Sequence, residues 1–253
     1  MRLSMRTFLF LLIAIACTAM QAKAENKDIH ICFERWWPYS YFDKHKQAKG
    51  IEVDIIKAAL ATSHYRVTFY ELPYRRCLAG VTDGLFDFTL HVDSADGFST
   101  ISTSFTTWQL SLAVKQGRFT NPDDFYQLNA PRVMISEDYS YPETVLMGLK
   151  KLNAAIVKRS FYEQNHEDGK KFFSVLSNNR VDAVLVDKIW ALEMIKHHQL
   201  AVTFLPRPFH AEPQFMGYKT SNEVDAKQVE SLLKKVPKST LKSIKVKYLG
   251  ESF

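Results

Sequence analysis

The chain has 253 residues, 46% of them apolar, with 24% charged side chains and a formal net charge of +6. That is enough apolar material for one or two packed domains and too little charge bias for a disordered polymer. The basic balance raises a nucleic-acid reading, and the placement of the charges excludes it. Arg2, Arg6 and Lys23 lie in the first 24 residues with no acidic residue among them, so without that segment the charge falls from +6 to +3. No basic run interleaved with aromatics remains to follow a phosphate backbone.

Those first residues read as a signal peptide, 1–24. Arg2 and Arg6 form the positive region, 8–16 is apolar, and Ala22-Lys23-Ala24 is a small-x-small cleavage signal. The apolar run is shorter than the ~20 residues that cross a bilayer. Cys17 opens the alternative of lipid attachment. Ala14, however, stands where such signals carry a larger aliphatic residue, so cleavage after Ala24 and export to the periplasm are expected. In that oxidising compartment Cys32 and Cys77 form either one disulfide or two buried thiols. Closing that loop would stabilise the fold by roughly 3–4 kcal/mol.

Downstream, the spacing predicts a strand over 28–33, an aromatic turn from Trp36 to Phe42, and a helix opened by Gly50, with Ile51, Val53, Ile55, Ile56, Ala59 and Leu60 on its apolar face. A strand over 67–70 follows. Pro73 then starts a helix with Cys77, Leu78, Val81 and Leu85 apolar, before a strand over 86–92. This β-α-β-α-β order implies a parallel sheet covered by helices. After a strand over 108–114 and the polar break Lys115-Gln116-Gly117, a second set begins. It has strands over 132–135, 154–157, 183–186 and 201–205, alternating with helices over 142–150, 161–177 (broken near Gly169) and 188–198. A Pro-rich stretch, 206–213, ends this set; 214–218 is extended, and helices follow over 223–236 and 239–249.

Catalytic and cofactor signatures are weak. There is no G-x-S-x-G elbow and no G-x-G-x-x-G loop, and the eight His are dispersed, with His197 and His198 on different helix faces. Asp93 and Asp96 are spaced as a solvated loop pair. No cofactor or metal is expected. The sharpest feature is the aromatic turn. In an open parallel α/β sheet, ligands bind beyond the carboxyl ends of the strands, and Trp36, Trp37, Tyr39, Tyr41 and Phe42 fall there. Planar rings with polar tips suit a small organic solute; the alternative is that some only pack the domain edge.

Five segments resemble the extracytoplasmic solute-binding proteins of the amino-acid type, family 3 of the receptors that serve ABC transporters. They are Trp37-Pro38-Tyr39-Ser40-Tyr41; Gly50-Ile51-Glu52-Val53-Asp54; Leu72-Pro73-Tyr74-Arg75-Arg76-Cys77-Leu78 with Gly84 and Asp87; Asp138-Tyr139-Ser140-Tyr141; and Asn179-Arg180-Val181-Asp182-Ala183 running on to Asp187. The resemblance implies an α/β, two-lobed periplasmic-binding-protein-like fold (type II), each lobe a mostly parallel sheet flanked by helices, with two crossing hinge strands. It places lobe one at 25–113 plus 215–253 and lobe two at 114–214. It implies a monomeric, non-enzymatic receptor that closes on a small polar solute and delivers it to a membrane permease. The ligand-binding residues it suggests are Trp36, Trp37, Tyr39, Tyr41, Arg76, Asp93, Ser94, Tyr139, Ser140, Tyr141 and Asp187. Asp187 matches the position that pairs with a ligand ammonium, and it is equally suited to cap the helix over 188–198. Residues 139–141 precede a helix whose N–H groups suit an anion.

One departure bears on the ligand. Amino-acid binders carry an Arg near the position of Ser99 to clamp the α-carboxylate, whereas 91–98 contains no basic residue. Arg76 is the substitute, or else the solute is not a simple α-amino acid and Asp93 favours a cationic group. Two other readings share this scaffold. One is a free-standing sensor for a signalling partner. The other is a small enzyme, a dehydratase or a cell-wall-cleaving activity, using His91 and Asp93 as acid–base groups.

Overall fold

A computed structural model describes residues 26–250 apart from 93–96, 105, 138, 140 and 161–165. The leader and its cleavage site, with Asp93, Ser94 and Ser140, lie outside the described residues.

The first unit contains β1 (Lys27–Phe33), the short hairpin β2 (Tyr41–Phe42) and β3 (Ala48–Lys49), α1 (Ile51–Leu60), β4 (Tyr65–Glu71), α2 (Tyr74–Thr82), β5 (Phe88–Val92) and β6 (Ser99–Thr100). The long strand β7 (Thr106–Lys115) leads into β8 (Arg132–Ser136), α3 (Glu143–Lys151), β9 (Ala155–Arg159), α4 (His166–Ser177), β10 (Ala183–Asp187), α5 (Lys188–His198) and β11 (Val202–Phe204). A second long strand, β12 (His210–Tyr218), returns to α6 (Glu223–Lys234) and α7 (Lys238–Leu249).

The strand order β4-β1-β5-β12-β7-β10-β8-β9 is a repeat seen from both ends. In each unit the first strand pairs in parallel with the second and third, and the third pairs antiparallel with a crossing strand. The same Asp device opens the third strand in both. Asp87 donates its N–H to His30 O and accepts His30 N–H at 2.8 Å; Asp182 donates to Arg132 O and accepts Arg132 N–H at 2.6 Å. Burial pushes the Asp182 carboxyl up, but that N–H and the guanidiniums of Arg132 and Arg118 outweigh it and hold the group below its ordinary range.

One apolar core draws on β1, α1, β4, β5, α6 and α7, so the C-terminal helices return to the first unit. Two further cores lie on the faces of the second sheet. Val184 and Val186 point to α4 and α5, while Leu110, Leu112 and Leu185 point to α3. This alternation follows from the period of two along a strand. Cys32 and Cys77, both fully buried, are joined by a disulfide that ties β1 to α2.

Some predicted details are corrected. α2 ends at Thr82, and Leu85 is 68% exposed rather than on its apolar face. α4 is continuous through Gly169, where a Cβ would lie 2.6 Å from Met194 Sδ, so this glycine lets α4 approach α5. Of the stretch 206–213 expected to end the second set, 210–213 instead belongs to β12, which runs through Pro213; the strand is leaving one sheet for the other there.

Gly50 is held at φ 121°, and a Cβ on it would lie 2.2 Å from Tyr39 O. Gly50→Ala is therefore expected to cost about 2–4 kcal/mol, measured as a fall in urea midpoint. Gly84→Ala, at φ 77° with no heavy atom within 4 Å, provides the control at about 1 kcal/mol. Equal losses in the two variants would mean that the close approach to Tyr39 carries no weight.

Candidate functional site

The strand registers decide where the carboxyl ends point. Val92, at the end of β5, pairs with Phe215; Asp187, at the end of β10, pairs with Leu110, which also pairs with His210. Both ends therefore face the crossing from opposite sides. They are separated along β12 by the span from 210 to 215, roughly 16 Å at strand rise. Along that gap neither β5 nor β10 continues beside the crossing strands. The units also touch beside it, since Ile189 at the start of α5 packs against the first core.

On the first side, the aromatic turn is stitched to the start of α1. Ile51 N–H donates to Pro38 O and Glu52 N–H to Tyr39 O, while Trp36 and Ser40 form an isolated bridge around the cis Trp37-Pro38 peptide. β5 carries one residue more than β12 between the pairs Thr89–Gly217 and Val92–Phe215. His91 sits in this bulge at φ 65°, a strained conformation that re-aims its side chain. Its ring lies edge-on to Trp36 at 4.8 Å, and Trp36 packs on Tyr39 at 4.7 Å. Nε2 is 3.1 Å from Ser40 Oγ and 2.9 Å from Glu52 Oε2. Tyr74 Oη donates to the His91 carbonyl. Ser40, His91 and Glu52 are all buried.

This trio is not arranged for nucleophilic catalysis. An activated serine needs its hydroxyl on one imidazole nitrogen and the carboxylate on the other. Here both partners meet Nε2, and the Ser40 hydroxyl donates to Glu34 O at 3.2 Å.

On the second side, Trp108 at the start of β7 has the rings of Tyr139, Tyr141 and His210 within 6.0–6.3 Å. Tyr141 Oη accepts the Ser136 N–H, fixing its ring, and His210 Nε2 is 3.1 Å from Glu212 Oε2. Glu212 pairs opposite Trp108, and His210 and Asp187 pair with Leu110, two residues along. All of these side chains therefore rise from one face of the sheet.

Asp187 is fully buried, and its Oδ1 accepts the Trp190 N–H at 2.8 Å, capping α5. Its Oδ2 has no hydrogen-bond partner. Burial pushes the carboxyl up to about 7, against the opposing pull of the Trp190, Gln109 and Ile189 N–H groups.

The predicted site residues thus fall into separate places. Trp36 and Tyr39 meet at His91, although Tyr39 is only 5% exposed and belongs to the core. Tyr139 and Tyr141 meet at Trp108, on the face that carries Asp187. Trp37 is half-buried in the turn. Tyr41 sits among Lys247, Asp54, Asp43 and Arg35, where α1 meets α7. Arg76 is exposed on the first turn of α2. His197 and His198, expected on different faces, have ring centroids 4.7 Å apart, and the described residues contain no group of His, Cys or carboxylates that could hold a metal. Sequence reasoning does not single out Trp108, His210, Glu212, Ser40 or Glu52 as site residues. A tryptophan opening a strand in which Gln109 and Ser111 alternate with Leu110 and Leu112 is the only trace Trp108 leaves in the sequence.

Residues 29–251 match the bacterial extracellular solute-binding proteins, family 3. No curated protein sequence matches the chain. Similar solved structures include the probable amino-acid ABC transporter extracellular-binding protein ytmK from Bacillus subtilis, with TM-score 0.71, 16% identity, and coverage of 90% of this chain and 100% of that one. The L-cystine solute receptor of Neisseria gonorrhoeae in its unliganded open conformation gives TM-score 0.65 at 16% identity, covering 89% and 93%. A histidine kinase sensor domain with similarity to periplasmic binding proteins gives 0.68 at 14%, covering 90% and 98%. These likenesses show the two-lobed α/β fold. No described helix is long and apolar enough to cross a membrane.

Proposed function

Since the chain belongs to the bacterial extracellular solute-binding proteins of family 3, we propose that it is a periplasmic receptor, exported by its 1–24 leader. It holds one small polar solute, an amino acid or related compound, between lobe one (25–113 with 215–253) and lobe two (114–214). Both boundaries fall inside the crossing strands β7 and β12. The observation that carries this reading is the convergence of the carboxyl ends of β5 and β10 on the crossing, each with an aromatic cluster beside it. Bending at the crossing strands would bring the two clusters onto the solute, the hinge closure open to this architecture. Trp36 contributes from lobe one; Asp187, Tyr139 and Tyr141 contribute from lobe two. Delivery to a membrane permease completes the role.

The reading assigns Ser40 no nucleophilic role, which the single-nitrogen geometry at His91 supports. Sensing is the second reading, favoured by the shared fold of the histidine kinase sensor domain. It needs the same closure with a different partner.

The direct test combines titration calorimetry against amino acids, polyamines and organic acids with small-angle scattering of the same samples. One-to-one binding in the micromolar range or tighter, with a smaller radius of gyration in the complex, is expected. A folded protein that binds none of them would overturn the proposal.

A further inference from the structure

Building on the solute-binding reading, we infer that the solute is an organic cation whose charged group sits against the half-buried rings of Trp108, Tyr139 and Tyr141 and is balanced by Glu212 and Asp187.

Four observations carry this. The first is the grouping of rings. Trp108 lies within 6.0–6.3 Å of Tyr139, Tyr141 and His210, all four rings are half-buried, and the cluster stands beside the gap at the crossing. Aromatic faces attract cations through the ring quadrupole, and most strongly where water is partly excluded. The second is the sign of the surroundings. Glu212 and Asp187 rise from the same sheet face as Trp108, and among the described residues neither is ion-paired with a lysine or arginine. The third is an unfinished hydrogen-bond set. Asp187 is fully buried, one oxygen caps α5, and the other has no partner. A buried carboxylate oxygen without a donor is costly, and an ammonium or guanidinium N–H would supply one.

The fourth concerns the carboxylate of an amino-acid ligand. The segment 91–98 has no basic residue to clamp it. The helix end that follows Tyr141 is capped by Pro142, which has no N–H, and carries Glu143 in its first turn. Both features weaken that end as an anion site. A cation without an α-carboxylate fits this chemistry better than an α-amino acid does.

The test is calorimetry of the whole mature protein with choline, putrescine and agmatine, set against L-alanine, L-glutamine, L-glutamate and succinate. At least one of the cations is expected to bind at least about tenfold more tightly than any of the amino acids or the diacid. Glu212→Gln and Trp108→Leu should each weaken it by about tenfold, while Trp108→Phe, which keeps a ring, should stay within about threefold. Raising the salt concentration should weaken binding to the native protein more than to Glu212→Gln. If an amino acid or succinate binds and the cations do not, the inference fails while solute binding stands. If the entire panel is silent with the fold intact by circular dichroism, both are overturned. Unchanged cation affinity in Glu212→Gln together with Trp108→Leu would also overturn the inference.

Discussion

Replacing Cys32 and Cys77 together by alanine is expected to lower the unfolding free energy by about 4 kcal/mol. The bridge spans 45 residues, and the chain-entropy relation gives about that value for a loop of this length. The closed loop contains the aromatic turn, α1, β4 and the start of α2, most of the first unit's fold. Both sulfurs are buried between β1 and α2, so the double alanine also leaves a small apolar gap. Urea unfolding of the oxidised protein and of the double variant measures the difference. A loss below about 1 kcal/mol would show that the unfolded chain is already restrained by other means.

Asp187→Asn is expected to stabilise the protein at pH 8, and to do so less at pH 5. The carboxyl is pushed up to about 7 in the fold by burial, against an ordinary value of about 3.9 when unfolded. Below about pH 4 both states hold the proton and burial carries no charge penalty. Between about pH 4 and 7 the folded state holds a proton that the unfolded state has released, so stability falls as pH rises. Above about 7 the full penalty applies, on the order of 4 kcal/mol. Asparagine does not titrate, and its carbonyl keeps the cap on the Trp190 N–H. Its amide lacks partners, which offsets part of the gain. A net gain of about 1–3 kcal/mol at pH 8, shrinking by about 2–3 kcal/mol at pH 5, is the expected outcome of urea titrations at the two pH values. A pH-independent difference would mean that Asp187 titrates near its unfolded value. A stability cost accepted at one buried acid beside the crossing is consistent with a binding role there.

The helices and strands themselves were largely legible. The full range of α5 is legible, because Asp187 is a strong cap and Lys196, His197 and His198 suit the helix end. The apolar spacing of α1, β7 and α7 marks their ends to within two residues. Errors fell where a local signal competed with a tertiary one. Gly169 and Pro213 read as breakers, yet the first permits close helix packing and the second lies on a strand changing sheets. Leu85 read as core because its spacing fits α2, but the helix stops before reaching it. The candidate site was less legible. The aromatic turn was found, but its rings divide between core, crossing and the α1–α7 junction. A ring's chemistry is local, whereas the direction it faces depends on what the chain packs against.

The sequence by itself determined the alternation of strands and helices in two sets, the capacity of Asp187 to cap or to bind, and the absence of a basic clamp in 91–98. Each depends on residue type and spacing along one element. Tertiary structure decided the rest. The pairings of β7 and β12 turned two sets of carboxyl ends toward each other, and a one-residue bulge turned His91 onto Trp36, Ser40 and Glu52. Strand register placed Trp108, His210, Glu212 and Asp187 on one face. Register and bulges arise from contacts between residues as far apart in sequence as Phe88 and Tyr218. No local pattern encodes them, so Trp108 gained its candidate role only when β12 closed against β7.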